Sequence, residues 1–561
     1  MRNKLLKGDN NIKVTGATFT PITLADFLSE RISTYLSKKH HLTIMDPACG
    51  DGRLLLSIAN YLDKETCSFV GYDTNESYIN TALINFKQKG MKTSSILYQD
   101  FLEISATSLD MFSSHTDIMT DVIIANPPYV RTQLLGSKKA QQIAKAFHLS
   151  GKIDLYYPFL IGMTNLLNTG GILGVITSNR YLSTKSGRTI RHFLHDHYEI
   201  LEIIDLGDTK LFDAAVLPAI FIGKKKSFRQ PQIGTQYSQI YEAIQTPISS
   251  NIIPKKTIFD ILHNHTDGYY SVDGKTYKYS IGQLEYVNDD NHSWHFSNTF
   301  GKQWLKTIHA NTAFYIRDKF KVRVGVKSCA DNVFINSQWD QEDQIPEPEL
   351  MKSLISRDNI QRWSCTDKEF QQVLYPHYDN NGTRAVYNLE QFPRAKSYLE
   401  KHKEQLIKRQ YLIEANRLWY EMWVPQNPAY WKYPKIVFPD ISTEAQFCMD
   451  YSGSVVNGNC YWIFSPDPEE VSLLLLIEGV ANSALMAKYH DLMFNNKLYS
   501  GRRRYLSQYV ENYPMPDLNN IHSQNIIQIT QTLNEINDDT MVATLYEQLN
   551  KEVPLAFGIT D

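Results

Sequence analysis

Between residues 42 and 223, short β-rich apolar runs alternate with stretches of helical periodicity, the rhythm of an open parallel α/β sheet. Strands are predicted at residues 43–45, 68–71, 121–125, 172–177, 202–206 and 219–222. Helices fill the intervals at 25–37, 53–61, 77–88 and 155–167, the last running into the turn Asn168-Thr169-Gly170-Gly171. After Lys226 the rhythm is lost. Residues 227–254, rich in Gln, Ser and Pro, read as a linker, and the chain beyond is dense in Trp and Tyr without a βαβ period or an internal repeat. The polar stretch 519–555 has helical periodicity and is expected to pack as a terminal helix or helix pair.

A chain of 561 residues with 42% hydrophobic and 21% charged positions suits two large folded domains and a small appendage. The expected division is 1–235, 255–515 and 516–561. The longest apolar runs, such as 473–477, fall far short of the ~20 residues that span a bilayer, and the N-terminus is polar, so a cytoplasmic protein is expected. The six cysteines form no CxxC pair, which fits a reducing compartment and predicts no metal site. His263-Asn264-His265 likewise has no supporting metal pattern. A net charge of −3 does not suggest a nucleic-acid binder, but it conceals basic runs at 224–226, 401–409 and 502–504. Each run taken alone reads as a solvated face.

Open α/β sheets bind ligands beyond the carboxyl ends of their strands, so the loops there carry the chemistry. The first strand runs into Asp46-Pro47-Ala48-Cys49-Gly50-Asp51-Gly52 and then directly into a helix. Two glycines let the backbone approach a ligand, and a helix start presents unpaired amides. The second strand ends at Asp73, about 20 residues beyond a glycine-rich loop, where a carboxylate takes ribose hydroxyls. As an alternative, Asp73 is a helix cap. A third acid follows in Gln99-Asp100-Phe101, able to accept from an adenine amino group with the ring beside it.

The strand 121–125 then delivers Asn126-Pro127-Pro128-Tyr129. The prolines stiffen the loop and leave a rigid pair of acceptors, the Asn126 side-chain oxygen and the Pro127 carbonyl. An aromatic amine is a poor nucleophile because its lone pair is delocalised into the ring. Two acceptors on its hydrogens turn that lone pair toward an electrophile, while Tyr129 offers a face on which a base can stack.

These motifs together resemble the gamma class of DNA amino-methyltransferases of the adenine-N6 type. The resemblance runs from Thr18-Phe19-Thr20-Pro21 through residues 46–52, Asp73, Asp100-Phe101 and Asn126–Tyr129 to Asp154-Leu155-Tyr156 and Gly170-Gly171-Ile172. It implies a Rossmann-like class I S-adenosylmethionine-dependent methyltransferase domain over 1–235, with S-adenosylmethionine held by Thr20, Pro21, Asp46, Ala48, Gly50, Asp73, Asp100, Phe101 and Asn126. It also implies direct in-line transfer to a flipped adenine held by Asn126, Pro127, Pro128 and Tyr129, with Phe221 the near match for a second stacking aromatic.

The C-terminal half resembles, more loosely, the mixed α+β target-recognition domain of that family. Its markers are residues 417–421 leading to 433–439, and 499–516 with the arginine triplet. The resemblance implies double-stranded DNA as partner and a separate restriction endonuclease as companion. Lys435, Arg502, Arg503 and Arg504 are the candidate DNA contacts.

The Asn-Pro-Pro-Tyr chemistry also serves methylation of glutamine amides in proteins and of guanine amino groups in RNA, but such enzymes generally lack a large second domain of this kind. Cytosine-C5 methylation needs a cysteine nucleophile, usually after proline, and no Pro-Cys pair occurs. Cytosine-N4 methylation shares the chemistry and is disfavoured only by the asparagine at position 126. A specificity protein with a dead catalytic domain is opposed by the intact loop 126–129.

Overall fold

The computed structural model describes residues 19–36, 41–91, 94–107, 119–129, 136–149, 154–212, 216–227, 234–243, 251–287, 293–297, 299–365, 371–494, 498 and 501–560. The chain divides into two compact units, one of Met1–Thr299 with Asn495–Gly501, the other of Phe300–Phe494 with Arg502–Asp561.

The first unit is built on one sheet of 12 strands. They are β1 (Thr43–Asp46), β2 (Ser68–Asp73), β3 (Ser94–Tyr98), β4 (Thr120–Ala125), β5 (Leu167–Ser178), β6 (Tyr198–Asp205) and β7 (Pro218–Lys225), then β8 (Thr235–Glu242), β9 (Ile252–Pro254), β10 (Gly268–Val272), β11 (Lys275–Val287) and β12 (Ser293–Ser297). The order is β3-β2-β1-β4-β5-β7-β6-β8-β11-β10-β9, with β12 on β11.

The neighbours from β3 through β5 are parallel. The expectation of an all-parallel sheet fails at β7, which enters antiparallel between β5 and β6. Among the described residues no helix crosses between β6 and β7, and without a crossover two adjacent strands run in opposite directions.

The central strand β4 shows why such a run is apolar throughout. Val122 and Ile124 point into one core and Ile123 and Ala125 into the other, all four fully buried. Helices α1 (Ile22–Ser33), α2 (Arg53–Ile58) and α3 (Glu76–Gln88) cover the first face. Helices α4 (Phe101–Thr107), α5 (Ser137–Ala146) and α6 (Tyr156–Leu166) cover the second. The Asn75 side chain starts α3 by accepting from the Ser77 and Tyr78 amides.

The stretch expected as a linker is not one. Residues 235–242 form β8, parallel to β6, and 252–254 form β9, while 228–233 and 244–250 lie outside the described residues. Tyr237, Ile240 and Tyr241 are its buried hydrophobic residues, so the strand's apolar content is carried largely by tyrosine. The first unit therefore runs well past residue 235.

In the second unit two four-stranded sheets are joined by four two-stranded ones among the described residues. Helices Val471–Asn482, Ala484–Phe494, Ile521–Glu535 and Asp539–Ala556 pack into one core, where Ile526, Leu533, Leu549 and Val553 meet Leu474 and Ile477. The C-terminal helix pair thus belongs to this unit's core. Among the described residues no single helix is long and apolar enough to cross a membrane.

Glu478 sits fully buried in that core, accepting from the Met449 amide at 3.1 Å and from Asn534 Nδ2 at 2.8 Å. Burial outweighs these bonds and pushes its carboxyl up to about 8. Its folded value lies above its unfolded one, so ionisation destabilises the fold increasingly from about pH 4.5 to about pH 8. Glu478→Gln removes that penalty and keeps the bonds, since Asn534 Oδ1, buried without a partner, can turn to accept from the new amide. The variant's thermal midpoint should match the parent's near pH 4 and exceed it by a growing margin toward pH 8. A difference that does not change with pH would show Glu478 to be ordinary.

Candidate active site

The loop between β1 and α2 turns sharply at two left-handed glycines, Gly50 at φ 51° and Gly52 at φ 80°. A Cβ on Gly52 would sit 2.6 Å from the Phe86 ring, so neither the backbone nor the space admits another residue. Asp46, 1% exposed at the end of β1, accepts from the Ala48 amide at 3.0 Å and pins the start of the turn. Burial, aided by the charges of Asp73 and Asp51, pushes its carboxyl up to about 8 against that one bond.

Asp73, at the end of β2, ties the next loop to this one. Its carboxylate accepts from the Gly50 amide at 2.9 Å and the Asn75 amide at 2.8 Å. Burial raises it, and these backbone donors hold it down. Arg53 donates to the Thr20 carbonyl at 2.7 Å and pairs with Asp51 at 2.8 Å, fixing the segment before α1 against the turn.

Between these loops lies a cleft enclosing about 860 Å³, part of it open to solvent. Of the residues expected to hold a cofactor, Ala48, Gly50, Asp73, Asp100, Phe101 and Asn126 line it, as does Pro128. Thr20, Pro21 and Asp46 do not; Thr20 and Asp46 hold residues that do, and Pro21 starts α1. Thr20 Oγ1 accepts from Asn126 Nδ2 at 2.9 Å, and the Pro21 carbonyl accepts from Leu24 and Ala25 at the start of α1. Thr18 lies outside the described residues.

The sequence reading missed Phe19, Tyr78 and Phe159, three aromatics of the lining. Phe19 and Tyr78 meet edge to face at 5.0 Å, and Phe159 stacks on Phe101 at 5.5 Å. Asp100 accepts from the Leu102 amide at 3.0 Å, with Lys139 3.7 Å away.

Asn126 follows β4 directly. Its Oδ1 accepts from the Tyr129 hydroxyl, so the side chain is held at both ends. Burial raises the Tyr129 phenol far above its ordinary value, and it stays a donor. Phe212 lies edge to face with Tyr129 at 6.4 Å.

Phe221 does not reach this place. It is 1% exposed in β7, packed against Tyr198 at 5.7 Å, and cannot meet a base without unfolding the core.

Two further expectations are corrected in the second unit. Lys435 is fully buried, paired with Asp450 at 2.5 Å and donating to the Trp431 carbonyl at 3.0 Å, so it is closed to DNA. Arg503 is committed to Asp491 at 2.6 and 2.9 Å and to the Thr443 carbonyl at 2.7 Å. Arg502 is exposed, and Arg504 lies 4.0 Å from Asp440. Tyr499 and Ser500 lie outside the described residues. Arg503→Ala is therefore expected to lower the thermal midpoint by several degrees, and Arg502→Gln to leave it unchanged. Equal midpoints for the two variants would refute the distinction.

The strand order β3-β2-β1-β4-β5-β7-β6, with a cleft on the loops at the carboxyl ends of its strands, is a Rossmann-like arrangement, and the similarities to known proteins make the chain a class I S-adenosylmethionine-dependent methyltransferase. Residues 31–212 match the Eco57I restriction-modification methylase family model. Type II methyltransferase M.BanIII of Aneurinibacillus aneurinilyticus is 40% identical over an alignment covering 98% of this chain and 97% of that protein. Type II methyltransferase M.BstVI of Geobacillus stearothermophilus is 24% identical, over 97% of this chain and 98% of that protein. The chain belongs to the Eco57I restriction-modification methylase family and is an S-adenosylmethionine-dependent DNA methyltransferase of the type II kind. A solved structure, the nuclease-deletion mutant of the type ISP restriction-modification enzyme LlaGI with a DNA substrate mimic, shares the fold. It is 12% identical, with a TM-score of 0.52 over 92% of this chain and 54% of that one.

Proposed function

We propose that the protein methylates the N6 amino group of adenine within a duplex site that its second unit recognises. The observation that carries this reading is Asn126 at the carboxyl end of the central strand, lining the cofactor cleft and held by Thr20 and Tyr129. The cleft fits an adenosyl ligand by the chemistry of its acceptors and rings. The Asp73 carboxylate keeps lone pairs for a ribose diol, Asp100 stands beside the Phe101 ring for the adenine, and Phe19 and Tyr78 supply apolar faces. S-adenosylmethionine, when bound, supplies a methyl group on a cationic sulfur.

The chain's own part is to orient the acceptor amine. Asn126 Oδ1 and the Pro127 carbonyl accept from the amino group, Pro128 stiffens the loop, and Tyr129 stacks on the base. Phe212 packs edge to face against Tyr129 and steadies its ring. A base inside a duplex must be rotated out to reach such a loop, and contacts from the second unit offset the unstacking. Methylation of the site would protect it from a cognate restriction endonuclease acting separately.

Nucleoside mass spectrometry of duplex DNA incubated with the purified protein and S-adenosylmethionine should find N6-methyladenine. N4-methylcytosine alone, or methyl groups on RNA or protein instead, would overturn the assignment.

A further inference from the structure

The lining of a cleft in the second unit includes Lys321, Arg323, Lys327, Gln426, Tyr461 and Ser507 and no carboxylate. Lys321 and Lys327 are exposed, as lysines usually are. Arg323 is different. It is half-buried, with its guanidinium carbon 5.3 Å from the centroids of both the Tyr430 and Phe464 rings, which stack on each other at 4.7 Å. Its Nε–H is buried without a hydrogen-bond partner among the described residues. Burial pulls its pKa below the ordinary guanidinium value, and the Tyr430 phenol is the group that counters.

The other buried or half-buried arginines described in this unit are all provided for. Arg362 pairs with Glu444, Arg417 with Glu421 and Arg503 with Asp491, while Arg409 donates to the carbonyls of Ser328, Glu421 and Trp419. A desolvated charge persists in a fold only where something offsets it. Two ring faces do part of this for Arg323. Among the described residues no acceptor meets its buried Nε–H.

We propose that Arg323 reads a guanine edge of the target duplex, donating its fork to O6 and N7 in the major groove, with Lys321 and Lys327 on the flanking phosphates. The inference rests on the reading that the second unit recognises DNA. Phosphates are met by exposed, mobile cations, whereas a base reader must be aimed. Arg323 is aimed by the ring pair and by its own strand, Arg323–Val324, which pairs with Cys460–Phe464 and sets Arg323 opposite Trp462. A guanidinium fork matches the two guanine acceptors in a way an ammonium cannot.

The test uses the full-length protein with S-adenosylhomocysteine and two labelled duplexes. One carries the site found methylated in DNA from cells expressing the parent; in the other that site is scrambled. Arg323→Lys should weaken binding to the site roughly 5- to 100-fold and leave the scrambled duplex within a few-fold. Lys321→Gln with Lys327→Gln should weaken both duplexes alike and make the salt dependence shallower. Methylation rates on site duplexes with each G·C pair replaced, taken as ratios to the parent site, do not depend on the fraction of folded protein. In Arg323→Lys the penalty at one G·C pair should vanish. Equal losses on both duplexes, unchanged binding, or an unaltered penalty at every G·C pair would overturn the assignment. A parent with no preference for its own methylated site would overturn the recognition role of the second unit, and this assignment with it.

Discussion

Replacing Asn126 by alanine should lower turnover on duplex DNA by roughly 10²-fold or more, the size seen when one preorganised acceptor or donor is removed from a reacting centre. The contact is needed most as the amino nitrogen gives up its conjugation with the ring, so the loss should fall on kcat, with DNA affinity staying within a few-fold. Asn126 is held through both side-chain atoms, by Thr20 and by Tyr129, and that rigidity is what makes it preorganised. Thr20→Val frees one end and should cost less than Asn126→Ala. Single-turnover rates with saturating S-adenosylmethionine make the comparison directly. Turnover of Asn126→Ala within a few-fold of the parent would mean that another group holds the amine.

Asp73→Ala should weaken S-adenosylmethionine binding by roughly 10²-fold. Charge-assisted hydrogen bonds contribute about 1.5–3 kcal/mol each, and the carboxylate has two kinds to lose. It accepts from the Gly50 and Asn75 amides, which shape the cleft, and its remaining lone pairs are those proposed to take the ribose. Asp73→Asn keeps the size but can no longer accept on both atoms, so it should fall between parent and alanine. Titration calorimetry with S-adenosylhomocysteine reads this without turnover. An unchanged dissociation constant in Asp73→Ala would remove the residue from the cofactor site.

What could be read from the sequence follows from how local each signal is. Asn126–Tyr129 stood out because a polar residue, two prolines and an aromatic directly follow an apolar run that needs no partner to be recognised. Phe159 was hidden in a helix that is apolar nearly all round, and Tyr78 in the first turn of an ordinary amphipathic one. Strand β3 went unread because only Ile96 of its five residues is buried, as befits an edge. Lys435 and Arg503 looked like phosphate ligands because their acids are distant in sequence. Lys435 meets Asp450 only through the pairing of Lys435–Pro439 with Cys448–Asp450. Phe221 is out of reach because β7 is buried on both faces from Pro218 to Gly223, so either orientation turns it into a core.

The continuation of the sheet through β8 to β12 bears on how such enzymes can be cut and rejoined. A break near residue 230, where the sequence suggests a linker, would strip Gln236–Gln239 from Glu202–Asp205 and leave β6 with a bare row of amides and carbonyls. Exposed strand edges of that kind recruit other chains, so a fragment ending there should aggregate even if its cofactor loops are intact. A chimera meant to graft a new target specificity onto this catalytic half should be spliced beyond Ser297, where the ladder is complete.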